Sequence, residues 1–417
     1  MDRAPDCGSG GWQFESARVH KIIFMNNFFK LLTSYFEYKF STLVTGTSWK
    51  SSDTSLVTTI IHNKNLAKEL EHACQKHGFL TFTEYLHISQ FGKYGYHATH
   101  TYHGATDTFT RWGEPLVRLC QQENIRHIIE FGCGNGLLGI EILQYTKRKH
   151  YPLFWSGIDS NQQLLQKAKE LLQKNHVYDS VHTLTTKLDF TFPEKCLFVC
   201  SYSLDSIPPE IFINTTQKKT FPNALIGISV KNEKLQEIVL TKKQLQQKNL
   251  FLQNGMYIDN SGNQFDLSAW KLFPWQRAYI PVFAFSILRK ITQDIPRNSF
   301  LMIIDEFQPV PLETNKNHLC IPKDLLRYYR NRELKNSACF YQTSGKNLLY
   351  YSSFLQTYLS VIRTLGFSNI SYEEEHLFAK MLAGKATHML TGVPVSFAIV
   401  AKKDSVQRKK NLLLVKS

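Results

Sequence analysis

The chain has no Cys-x-x-Cys pair; its eight cysteines stand apart at 7, 74, 120, 133, 196, 200, 320 and 339. That spacing signals neither a zinc site nor a disulfide framework, and it suits a reducing compartment. Cys196 and Cys200 flank a strand-like run and are expected in a core. No apolar run reaches the roughly 18 residues of a membrane span. Internal repeats and arginine-rich tracts are also missing. Asp2, Asp6 and Glu15 argue against a transit peptide, a class of segment poor in acids. The expected location is therefore cytoplasmic, with the mitochondrial matrix as the alternative in a eukaryote. His87, His97, His100 and His103 lack cysteine or carboxylate partners nearby, so no metal is expected on them.

With 417 residues, the chain exceeds the usual size of one compact domain. A hydrophobic content of 43% with 13% aromatics supports a packed core rather than a disordered chain. The net charge of +15 fits an anionic partner: nucleic acid, an acidic protein or a membrane surface. The basic residues are spread along the chain, which equally fits a lysine-rich solvated surface.

The most informative stretch is His127 to Leu143, HIIEFGCGNGLLGIEIL. It reads as a buried strand, a glycine turn and the start of a helix. Glycine accepts φ > 0 and lets a ligand approach the backbone. The helix N-terminus offers free N–H groups and a partial positive charge. A dinucleotide fingerprint would need a further glycine at Leu137, so that match fails. Glu130, Gly132, Gly134 and Gly136 instead form Glu-x-Gly-x-Gly-x-Gly, which resembles motif I of class I S-adenosylmethionine (SAM) methyltransferases. Downstream, Leu153 to Ile158 reads as the next strand, with Asp159 at its end placed to accept hydrogen bonds from ribose hydroxyls. The other reading of Asp159 is a helix cap.

Further strands are expected at Val181–Thr185, Cys196–Cys200, Ser299–Ile304, Ile370–Tyr372 and Ser396–Lys402. Roughly 90 residues separate the fourth strand from the fifth, far more than a crossover needs, so an inserted lid is expected there. Within it, Ala224–Val230 and Leu235–Thr241 read as a hairpin and Tyr279–Ile291 as an amphipathic helix. Upstream, a helix bearing Leu66, Leu70 and Ala73 ends near Gly78, and a second spans Thr81 to Phe91. Phe354–Leu365 reads as a helix closed by Gly366. The expected organisation is a poorly defined extension (1–65), an N-terminal helical segment over the site (66–126), a core (127–209 and 292–402), an inserted substrate lid (210–291) and a basic, frayed tail (403–417).

Together these residues resemble the MidA-like family of class I methyltransferases, relatives of a mitochondrial complex I assembly arginine methyltransferase. The resemblance spans about 66 to 402 and is carried by FTEYLHISQFGKYGYH, Trp112-Gly113-Glu114, motif I, Asp205-Ser206-Ile207-Pro208 and Ile304-Asp305. It implies an α/β, Rossmann-like fold with a seven-stranded sheet, SAM as cofactor, and methyl transfer to a protein side chain. It also implies that Asp189 and Phe190 meet the adenine. Asp205, Asp305 and Glu306 become the catalytic candidates, and Tyr94, Tyr96, Tyr202 and Pro208 the substrate-binding ones. The expected pocket lies between the 201–208 loop, Asp305, the Tyr94–Tyr96 turn and the insertion. Where the family has Asn-Glu, this chain has Ser201-Tyr202, which removes a carboxylate able to hold a guanidinium. That departure leaves room for another acceptor, a small molecule or nucleic acid included, or for an assembly factor that binds SAM without catalysis. Ile207 before Pro208-Pro209 lacks the polar residue of DNA amino-methyltransferases.

Overall fold

A computed structural model describes residues 56–96, 112–187, 192, 195–204, 207–217, 221–268, 270, 272, 274–275, 277–308, 326–328, 341–342, 349–351, 353–374, 378–379, 381–382, 396–403 and 412–414. The first described elements are β1 (Thr58–Ile60), α1 (Lys64–Cys74), β2 (Leu80–Thr81) and α2 (Phe82–Phe91). Asn63 caps α1 by accepting the Leu66 N–H at 3.1 Å, and Leu66, Ala67, Leu70 and Cys74 form its buried face. Thr81 and Glu84 form a reciprocal capping box at the start of α2, which is why that helix begins where the sequence places it.

The core then runs α3 (Gly113–Gln122), β3 (His127–Phe131), α4 (Leu137–Lys149), β4 (Phe154–Ile158), α5 (Gln162–Lys174), β5 (Val181–Thr185) and β6 (Leu197–Ser201). The insertion holds β7 (Glu210–Ile213), β8 (Ala224–Lys231), β9 (Lys234–Val239), α6 (Lys242–Gln247), β10 (Phe251–Gln253), β11 (Met256–Ile258), β12 (Gln264–Asp266) and β13 (Arg277–Ile280). After it come α7 (Val282–Gln293), β14 (Phe300–Gln308), β15 (Leu326–Tyr328), β16 (Leu349–Tyr351), β17 (Ser353–Phe354), α8 (Leu355–Thr364), β18 (Phe367–Glu374), β19 (Ser396–Lys403) and β20 (Leu412–Leu414).

Seven core strands lie in the order β18-β19-β14-β6-β3-β4-β5, and β17 adds an eighth beside the end of β14. β5, β4, β3, β6 and β14 are mutually parallel and β18 runs the same way, whereas β19, between β14 and β18, is antiparallel to both. β3 and β6 are buried along almost their whole length, as strands covered on both faces must be. Ile128, Trp155, Leu197 and Val199 pack with α3, α4 and α5 on one face. Ile129, Phe198 and Cys200 pack with α7, α8 and part of the insertion on the other.

The insertion is more than a hairpin. Its β7, β8, β9 and β13 build a second sheet with the upstream β1, in the order β1-β9-β8-β7-β13, and the upstream β2 adds against β8. The β8–β9 turn places Asn232 and Glu233 at φ 50° and 62°, the paired positive values that match hairpin twist. Glu237 on β9 is fully buried and accepts both Arg277 guanidinium hydrogen bonds, at 2.7 and 2.6 Å. It also accepts the Val57 N–H at 2.8 Å and the Tyr341 hydroxyl.

Four sequence expectations need correction. Residues from 56 onward belong to the folded body, because β1 pairs with β9 over a long sequence separation. The helix expected from Tyr279 starts only at Val282; Arg277–Ile280 pairs with β7 as a strand, and Pro281 separates the two elements. The strand expected to stop at Ile304 continues to Gln308, since β19 keeps pairing with it through Glu306 and β17 pairs with Phe307 and Gln308. The tail is not frayed throughout, for β20 pairs in parallel with β12. Among the described residues, no helix is long and apolar enough to cross a membrane, and no group of three or more His, Cys, Asp or Glu is placed to hold a metal.

Candidate active site

The chain leaves β3, turns over three glycines and enters α4. Gly132, Gly134 and Gly136 have φ of 73°, 53° and 77°, the left-handed region that side chains avoid. The loop is tied to its neighbours by backbone bonds: Gly132 N–H reaches the Ile158 carbonyl at 2.7 Å, and Gly136 N–H the Cys133 carbonyl at 2.9 Å. A Cβ on Gly132 would collide with the Ser203 side chain, so the glycine loop and the loop after β6 touch. A Cβ on Gly134 would meet nothing within 4 Å. Gly134 therefore borders open space, which is what a cofactor cradle requires.

Asp159 follows β4 and is central to this loop. Its Oδ2 accepts the Gly134 N–H at 2.8 Å, and its Oδ1 accepts the Asn161 N–H at 2.8 Å. Burial raises its pKa, while these two backbone bonds pull it back down. The cap of α5 is Asn161, whose Oδ1 accepts from Gln163 and Leu164 at 2.9 and 3.2 Å. The cap reading thus belongs to Asn161, and Asp159 is left to hold the loop. Each carboxylate oxygen keeps acceptor capacity for a ribose hydroxyl.

Glu130 is 2% exposed, and its Oε2 accepts the Trp155 indole N–H at 3.0 Å. Burial raises its pKa to about 8; the Trp155 bond lowers it and Asp159 raises it further. Between the ordinary value of 4.5 and about 8, the folded chain holds a proton that the unfolded chain releases. Stability therefore falls as pH rises through that window and levels off above it. Glu130→Gln should flatten the fall, by an amount on the order of a few kcal/mol at most. Denaturant unfolding at pH 5 and pH 9 on both proteins checks this; equal losses would contradict it.

The chain leaves β6 through a strained turn. Tyr202 has φ 47° and donates its N–H to the Ile304 carbonyl at 2.8 Å. A bulky residue rarely adopts this conformation, and such outliers cluster at functional sites. Tyr202 is 9% exposed and packs in the cluster on the α3–α5 face. Asp305, the residue after Ile304, is 1% exposed. Burial first, then Asp305 and Glu130, push the Cys200 thiol well above its usual range.

Pro208 and Pro209 run against the start of α2. The Thr83 hydroxyl donates to the Pro209 carbonyl at 3.1 Å and to the Pro208 carbonyl at 3.5 Å. Glu210 accepts the Thr83 N–H at 3.4 Å, and burial raises its pKa to about 7 against the pull of its Thr83 and Thr81 bonds. The upstream segment is thus bonded to the loop after β6. Tyr94 donates its N–H to Glu69 at 3.1 Å, and it packs against the α1, α2 and inserted-sheet cluster. Tyr96 is buried. Asp189, Phe190 and Asp205 lie outside the described residues, as do His97, His100, His103 and the side chain of Glu306.

Glu130, the glycine loop, Asp159 and the β6 turn converge where the strand order reverses, between β3 and β6. Ligands of open α/β sheets sit at that point, outside the carboxyl ends of the strands. Fold and loop together define a class I-like nucleoside-cofactor enzyme. The profile of the S-adenosyl-L-methionine-dependent methyltransferase family matches residues 108–342, more than half of the chain. The chain belongs to that family, which bears out the MidA-like resemblance. It is a SAM-dependent methyltransferase. Two solved Burkholderia thailandensis structures of one superfamily share the fold. A native one is 14% identical with a TM-score of 0.58, covering 88% of this chain and 97% of its own. One bound to S-adenosyl-homocysteine is 14% identical with a TM-score of 0.56, covering 86% and 95%. No curated protein sequence matches the chain.

Asn161 and Glu210 escaped the sequence reading. Asn161 carried a signal, an Asn directly before a helical repeat. Glu210 carried none, since only the fold brings α2 to it.

Proposed function

We propose that the methyl acceptor is a nitrogen on a protein side chain. The observation that carries this reading is Asp305, a buried carboxylate one residue beyond the last β6–β14 pair, next to the strained Tyr202 turn. A carboxylate at that end of the sheet suits a cationic nitrogen, which it can orient by charge-assisted hydrogen bonding. When bound, SAM supplies an electrophilic methyl group on a sulfonium whose leaving thioether is neutral. The chain therefore has no leaving group to protonate, and its tasks are to position the acceptor and exclude water. A base is needed only where the nucleophile must lose a proton. Asp305 is best placed for that, with Glu306 and Asp205 as the neighbouring acids. The inserted segment 210–291 serves as the acceptor lid, and Thr83 with Glu210 ties it to α2.

Tyr202 favours one rival. Buried among apolar residues where relatives have a carboxylate, it supports a SAM-binding assembly role with weak catalysis. Incubation of the chain and labelled SAM with cell lysate, followed by separation of protein from nucleic acid, decides between them. Label in protein that falls at least tenfold with Asp305→Asn supports the proposal. Label in nucleic acid, or none in either fraction, contradicts it. Methylarginine in the protein hydrolysate would show that an acid other than residue 202 holds the guanidinium.

A further inference from the structure

Along the sequence the basic residues are spread; in the fold some of them gather at one edge of the core sheet. α4 leaves the glycine loop and runs back to the opposite edge, 13 residues or about 20 Å away. Its last turn carries Lys147, Arg148 and Lys149. Lys174 ends α5 at the same edge, and Arg126 stands just before β3 there. All five residues are exposed.

Contacts join these cations into one surface. The Lys147 Nζ donates to the His176 carbonyl at 3.4 Å and the Gln144 amide to Asn175 at 3.0 Å, which links the ends of α4 and α5. Tyr151 donates its N–H to the Thr146 carbonyl at the end of α4, and Arg126 lies over the Tyr151 ring at 4.9 Å. Arg148 and Lys149 lie over the Tyr145 ring at 5.6 and 5.9 Å. The rings hold the cations in place and leave their charge uncompensated.

Among the described residues, none of the five is paired with a carboxylate. Of the neighbouring acids, Glu114 is taken by Arg118 at 3.0 Å, and Glu123 lies 3.6 Å from Lys195. Glu170 and Asp179 are the exposed acids on either side of the α5 end. A helix C-terminus favours a cation. That accounts for one at each helix end, but not for three on α4, nor for Arg126, which ends no helix.

The lack of apolar anchors decides the kind of partner. Protein interfaces centre on aromatic or aliphatic anchors and are poor in lysine. Among the described residues, α3, α4 and α5 expose no large hydrophobic residue. A phosphate backbone needs only cations for binding without sequence preference.

We infer that this edge of the sheet binds the phosphate backbone of a nucleic acid without reading its bases. The surface is separate from methyl transfer, which belongs to the opposite edge. A nucleic acid held here is a partner of the chain and not its methyl acceptor.

The test is fluorescence anisotropy of a labelled mixed-sequence oligonucleotide, as RNA and as DNA, with the full chain and its variants. Arg148→Glu, Lys149→Glu and Lys174→Glu together reverse the surface. Lys234→Glu, Lys242→Glu and Lys243→Glu, exposed on β9 and α6, make the same change in net charge elsewhere. The first triple variant should bind at least about tenfold more weakly, with a salt slope lower by about one per lost phosphate contact. The second should stay within about threefold of wild type, since charges beyond a Debye length are screened. The milder Arg148→Gln with Lys149→Gln, which puts no acid at a helix end, should weaken binding in the same direction. RNA and DNA should bind alike, because both present the backbone. SAM affinity should be unchanged in every variant. Equal weakening by the two triple variants would assign binding to net charge and overturn the inference. So would tighter binding of polyglutamate or phosphatidylserine vesicles than of either oligonucleotide, or no oligonucleotide binding at low salt.

Discussion

Replacing Gly134 with valine is expected to abolish SAM binding while the chain stays folded. Two observations set this outcome. Gly134 has φ 53°, so a side chain there costs about 1–2 kcal/mol in backbone strain, an amount a folded domain survives. Its Cβ direction meets no atom within 4 Å, so the variant suffers no internal collision. The valine instead fills the open space beside the loop that Asp159 holds in place. Gly132 should behave differently. A Cβ there runs into Ser203, so Gly132→Ala should lose stability as well as affinity. Calorimetry with SAM, paired with denaturant unfolding, separates the two effects. Unchanged affinity in folded Gly134→Val would contradict the assignment.

The largest loss of stability is expected from Arg277→Ala. The Arg277 side chain is 10% exposed and its Glu237 partner 0% exposed, with both guanidinium bonds at 2.7 Å or less. Removing arginine leaves a buried carboxylate that, among the described residues, keeps Tyr341 and the Val57 N–H as donors. Breaking a buried pair in this way costs roughly 3–5 kcal/mol. The loss should fall on the second sheet, because Glu237 sits on β9 and Arg277 on β13, at opposite sides of β8 and β7. Replacing both partners with apolar residues, Arg277→Met with Glu237→Leu, should recover most of the loss, since neither charge is then stranded. Urea unfolding of the single and double variants measures this. If the double variant is no more stable than the single one, the pair is not what holds these strands.

How much of this was legible beforehand depended on the range of the interactions involved. The glycine loop, Asp159 and strands β3 to β6 were readable because local runs specify them: apolar stretches, positive-φ glycines and a helical repeat behind each turn. The Thr81 capping box and the Gly366 helix stop were readable for the same reason, both being contacts within one turn. The second sheet was only half visible. Its β8–β9 hairpin is local, whereas β1 and β13 join it through pairs distant in sequence. The Tyr279–Ile280 stretch looked like the start of a helix because Ile280 continues the apolar face of α7. Pro281 and the pairing with β7 make it a strand. The reach of β14 to Gln308 was hidden as well, since it depends on strands far downstream, β19 through Glu306 and β17 for Phe307 and Gln308. Site residues divided along the same line. Asp159 announced itself by position, but its bond to Gly134 did not. Ser201 stood out only as a departure from relatives, and its burial is a property of the fold.

The measurement that tests the account most directly is SAM titration of the wild-type chain against Asp159→Ala. Asp159 holds Gly134; on the reading that its oxygens also accept from the ribose hydroxyls, its loss should weaken SAM by about 1.5–3 kcal/mol. Asn161 still caps α5 in the variant, so the thermal unfolding midpoint should move far less than the affinity. The account predicts saturable binding to one site per wild-type chain and a weakening of at least tenfold in the variant. A folded wild-type chain that takes up no SAM would contradict it. So would an Asp159→Ala chain that binds SAM as the wild type does and loses only stability.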